Sequence, residues 1–192
     1  DYYNVDNSYL HLVLERRRGI PVSLAVIWLE VARNLGLQAE GVPFPAHFLA
    51  QAHVGQGRVV VDPFTGESLS SEQLRERLDE LSLLPPSESA HDRPLLPYLE
   101  PATPRHILAR MLGNLQAIHR SREDWPRLVA VQDRLITLLP EAWSEYRNRG
   151  LALVELGQDE RARADLSMYL DQAGHQASDR HKVIKVLQEL GG

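Results

Sequence analysis

Proline sets the strongest constraint on this chain, because six of its twelve prolines fall between residues 85 and 104, at positions 85, 86, 94, 97, 101 and 104. Proline fixes φ, removes an amide donor and disrupts helix interiors. Neither a regular helix nor a central strand can run through that segment, so the residues on either side are expected to fold as separate bodies joined by a stiff linker. With 192 residues, a length that suits one large domain or two small ones, the division expected is 1–84, a linker over 85–104, and 105–192.

The two flanks differ in hydrophobic period. Asn7 or Ser8 can cap a first helix carrying Leu10, Val13 and Leu14, with Gly19 placed to end it. Pro21 suits the first turn of a second helix whose Leu24, Ile27, Trp28, Val31 and Leu35 recur at helical spacing and which closes at Gly36. Ser23 falls in its first turn, where backbone N–H groups are free, and shares the face of Ile27. After Gly36 the period drops to two: 38–42, 47–52 and 58–62 read as strands, the last two joined through Gly55-Gln56-Gly57 as an antiparallel hairpin. Reversal across that hairpin brings His47, at the start of one strand, toward Asp62, at the end of the next. Ser70 with Gln73 forms a capping box ahead of Leu74, Leu78 and Leu81.

From Ile107 onward the pattern is helical throughout, with a weak repeat at an offset of about 34 residues, the tetratricopeptide period. In the clearer copy, Tyr146, Gly150, Leu153, Gly157, Ala162, Leu166 and Tyr169 occupy its aromatic, small, apolar and turn positions. The earlier copy has Leu112, Leu115, Asp124-Trp125, Leu128, Leu135 and Pro140, but departs from the pattern with Gln116 at a small-residue position and Gln132 at an aromatic one. Residues 179–190 read as a capping helix. Two units are fewer than usually stand alone, so the tail is expected to brace another domain or to bind a protein or peptide.

The Arg18-Gly19-Ile20-Pro21-Val22-Ser23 segment, Pro45-Ala46-His47-Phe48 and Val61-Asp62-Pro63, taken in this order, resemble the transglutaminase-like fold. Joined to a tetratricopeptide tail, they are similar to the bacterial SirB family. The resemblance implies an α+β, transglutaminase-like (papain-like) N-terminal domain with a small antiparallel sheet, followed by an all-α repeat tail. It also implies a Cys-His-Asp triad, with the nucleophile at the start of a helix. His47 and Asp62 match two of those positions. Ungapped counting back from Gly36 puts Pro21 at the third, and a shift of two puts Ser23 there.

The chain contains no cysteine, so thiolate chemistry, disulfides and thiolate metal sites are excluded. Ser23 has two readings: a nucleophile dependent on His47 and Asp62, as in a hydrolase or acyltransferase, or a hydroxyl satisfying a free donor of its own helix. The expected function is a non-catalytic interaction or regulatory protein, with the serine enzyme as the alternative. A net charge of −5 gives no basic face for nucleic acid, and the Arg16-Arg17-Arg18 run reads as helix-end cations. No apolar stretch is long enough to span a bilayer. No histidine spacing suits a metal and no glycine loop suits a phosphate or dinucleotide, so no cofactor is expected. The cytoplasm is the expected compartment, and the opening in mid-fold suggests that an N-terminal portion of the natural protein is missing.

Overall fold

The computed structural model describes residues 3–81, 94–172 and 178–191. They divide into two compact units, with the boundary after Met111. The linker is expected over 85–104. Its first half lies outside the described residues, while Leu99 is buried among first-unit apolar side chains and the Ala102 amide donates to the Gly41 carbonyl at 2.8 Å. Proline bars regular pairing here, yet the segment still packs, because single apolar residues between prolines can reach a core.

In the first unit, a 3₁₀ turn, Val5–Asn7, leads to α1, Leu10–Arg16, and α2, Pro21–Asn34. Neither Asn7 nor Ser8 caps α1, whose N-cap is Tyr9. That helix ends at Arg17, which takes the left-handed conformation (φ 54°), before Gly19 is reached. Gly19 serves closeness instead: a Cβ there would lie 2.7 Å from Ser23 Oγ and 2.9 Å from Val13. At the other end of α2, Gly36 at φ 82° lets the Leu37 amide return to the Ala32 carbonyl at 3.0 Å.

Four antiparallel strands follow in a meander: β1, Gln38–Val42, β2, Leu49–Val54, β3, Gly57–Val61, and β4, Ser68–Leu69. The expected hairpin forms with Val54 opposite Gly57, leaving Gly55-Gln56 as its two-residue turn, and Gly55 has positive φ. Alternation gives the sheet two buried faces. On one, Ala39, Ala50 and Ala52 meet Val22, Ala25, Leu29 and Ala32 of α2. On the other, Val42, Leu49, Val60 and Leu69 meet Leu74 and Leu78 of α3, Ser71–Glu80. The face of α2 expected to point inward is thus corrected: Val31 and Leu35 are 55% and 74% exposed. Small residues on both sides let helix and sheet approach, so the alanines are buried and the larger periodic side chains lie outward.

The helices α4, Pro104–Ser121, α5, Trp125–Leu138, α6, Trp143–Glu155, α7, Asp159–Gln172, and α8, Arg180–Leu190, complete the chain. In the second unit, Ala162 and Leu166 are fully buried, and a Cβ on Gly150 would lie 2.7 Å from Leu166 Cγ. Both small residues therefore stand at a close helix crossing, as the repeat requires. Arg149 ties α6 to Asp165 of α7 and Asp133 of α5, at 2.7 Å each. Asp179, ahead of α8, accepts from Tyr169 and Arg147. Gln116, where the repeat pattern lapses, donates to Glu145 at 2.5 Å. Among the described residues, no helix is long and apolar enough to cross a membrane.

Candidate functional site

His47 and Asp62 meet. His47 Nε2 lies 2.8 Å from Asp62 Oδ1, and the carboxylate is 2% exposed. The backbone arranges this just outside the paired strands. The His47 amide closes a turn on the Phe44 carbonyl at 3.0 Å, with Ala46 at φ 55°, so strand pairing begins at Leu49, two residues after His47. Asp62 directly follows β3 and starts its own turn: its side chain accepts from the Phe64 amide at 3.0 Å and its carbonyl from the Gly66 amide at 2.8 Å. An aspartate before proline is suited to this, because its short carboxylate mimics a turn carbonyl.

A third partner could not be anticipated from spacing. Arg77 of α3 donates to Asp62 Oδ2 at 3.0 Å. It immediately precedes the buried Leu78, but nothing in its sequence neighbourhood marks its target. Burial works against ionisation of Asp62, yet the bonds from His47, the Phe64 amide and Arg77 together hold the carboxyl below the usual carboxylate value. In the tautomer whose Nε2–H donates to the Asp62 carboxylate, Nδ1 carries the lone pair, the arrangement a general base needs.

Ser23 is engaged elsewhere. It is fully buried, and Oγ lies 2.7 Å from the Asn7 carbonyl, to which it donates, while accepting from the Ile20 amide at 3.0 Å. The single hydroxyl proton and one acceptor position are used on backbone groups. Pro21, the other residue at the nucleophile position, occupies the first turn of α2, is buried and offers no nucleophilic atom. The structure therefore brings His47 and Asp62 together, adds Arg77, and directs the Ser23 hydroxyl to main-chain partners. Among the described residues, no three acidic or histidine side chains gather as metal ligands.

Comparison with known proteins gives two family matches: the transglutaminase-like superfamily over residues 1–113 and the tetratricopeptide repeat over 115–188. A UPF0162 protein of Xylella fastidiosa (strain 9a5c) is 45% identical over 172 residues, 88% of this chain and 60% of that protein. The UPF0162 protein PA3419 of Pseudomonas aeruginosa is 34% identical over 85% of this chain and 58% of that protein. F-box only protein 21 of Mus musculus is 48% identical over 64 residues, 33% of this chain and 10% of that protein. The chain thus spans about 60% of the length of the bacterial relatives it matches. No solved structure gives a significant match.

Proposed function

Because the chain belongs to the transglutaminase-like superfamily and joins that domain to tetratricopeptide repeats, as the SirB-type UPF0162 pairing implies, we propose that it acts as a non-catalytic interaction or regulatory protein of the cytoplasm. One observation carries this reading: the Ser23 hydroxyl, in a chain without cysteine, is buried and bonded to Asn7 and Ile20. A nucleophile needs its oxygen free for the substrate and its proton aimed at the base. The His47–Asp62–Arg77 cluster then holds the strand ends and α3 together. A fluorophosphonate probe tests the reading. No labelling is expected, whereas labelling that vanishes in both Ser23→Ala and His47→Ala overturns it in favour of a serine hydrolase or acyltransferase. The observation favouring that second reading is the 2.8 Å His47–Asp62 contact.

Tetratricopeptide repeats generally mediate contacts between proteins. A groove of about 410 Å³ in the second unit, lined by Arg120 of α4, Arg147 and Leu151 of α6 and Lys182 and Val186 of α8, supports a protein or peptide as the partner. Arg120→Glu with Lys182→Glu is expected to abolish partner capture by the full chain, measured against the unaltered protein.

A further inference from the structure

The first unit contains a cavity of about 550 Å³, formed where α1 turns into α2 and bordered by the loop after β3. Its wall includes all three consecutive arginines, Arg16, Arg17 and Arg18, together with Leu24 and Phe64. Helix-end cations should complement the last carbonyls, and Arg16, the final residue of α1, has its charge met by Asp6 at 3.0 Å. The Arg17 and Arg18 side chains, by contrast, make no hydrogen bond or ion pair among the described residues. Both nevertheless line one hollow, which they reach because Arg17 takes the left-handed conformation and turns the chain.

We propose that this cavity binds a small organic oxyanion, a phosphate or carboxylate carried on a flat apolar body. Two guanidiniums present ten N–H donors in planar forks, the geometry that recognises such groups through paired bonds. Like charges sharing one hollow raise its local potential, even on a chain whose net charge is −5. Leu24 and Phe64 give the other wall, and Phe64 is 58% exposed, so an aromatic face is open to a ring. The volume falls within the range of small-molecule sites, about 300–1,000 Å³. Gly19, also in the wall, leaves no room for a Cβ beside Ser23 Oγ, and the Phe64 amide donates to Asp62, so the cavity adjoins the candidate site. The proposal holds whether or not Ser23 reacts, and the two are tested by separate readouts.

The test is a titration of the full chain followed by amide chemical shifts, with phenyl phosphate, benzoate, inorganic phosphate and phenol as probes. Phenyl phosphate or benzoate is expected to give saturable shifts confined to residues 16–24 and 62–67, weakening as salt is raised. Their order of affinity decides between phosphate and carboxylate. Arg17→Gln with Arg18→Gln is expected to weaken binding at least tenfold with an unchanged melting temperature, since both side chains are exposed. Phe64→Ala is expected to weaken phenyl phosphate while sparing inorganic phosphate. Shifts scattered over the surface, equal binding by phenol, or an unaltered affinity in the double glutamine variant would overturn the proposal.

Discussion

At the residue scale, Asp62 and Ser23 are both buried polar groups with every bond directed at a specific partner, and each gives a distinct expectation. Asp62→Ala leaves His47 and Arg77 without their acceptor and opens the turn at Phe64. A loss of about 2–3 kcal/mol is expected in urea unfolding, below the range for a fully buried pair because His47 and Arg77 are partly exposed. The folded-state pKa of Asp62 is depressed, so its contribution is present above the unfolded value of about 3.9 and is lost as pH falls through the lower folded value. In Asp62→Asn that acid-side loss should shrink. Ser23→Cys gives a test of position: the thiol should resist a disulfide reagent in the folded protein and react fully in denaturant, whereas rapid native reaction would mean an accessible nucleophile position. The His47–Asp62 meeting was legible because a hairpin reverses direction whatever its side chains are. The orientation of Ser23 was not, since a first-turn serine suits a cap and a nucleophile equally well, and only the position of Asn7 decides.

Among elements, the legible features were those fixed by local chemistry. The Ser70–Gln73 capping box forms in both directions, at 3.2 and 2.8 Å, and the Gly55-Gln56 turn follows from a glycine at positive φ. The face of α2 was misread because large apolar side chains at regular spacing outweighed Ala25 and Ala32, whose burial depends on the small residues opposite them in the sheet. The end of α1 was misplaced for a related reason: Arg17 takes a conformation that glycine adopts more readily. Small residues in the tail were legible because the repeat period marks them as a pair. Gly150→Ala is expected to cost about 1–3 kcal/mol by forcing Leu166 aside, read as a lower melting temperature, while the same substitution at Gly113, where an added Cβ meets nothing within 4 Å, should cause no loss.

For the whole molecule, the two units should respond to acid in different windows. His119 of the second unit is 4% exposed, and its pKa is lowered mainly by burial, against the pull of Asp124. Between the unfolded value of about 6.5 and that lower folded value, the unfolded chain binds more protons, so stability falls as pH is reduced through this window. Asp62 in the first unit adds its loss only below about 4. Trp28 lies in the first unit, while Trp125 and Trp143 lie in the second, so single-tryptophan variants can follow each separately. The second-unit signal should lose denaturant resistance first on acidification, and His119→Phe should flatten that slope.

The carboxylate of Asp62 also has a consequence for local unfolding. One side chain hooks the turn after β3, the His47 turn before β2 and, through Arg77, the helix α3. Detaching any of the three strands the other two, so they should open as a single event in native-state hydrogen exchange. The amides of Leu74 and Leu78 would then share one opening free energy with that of His47, and Arg77→Ala would lower all three together.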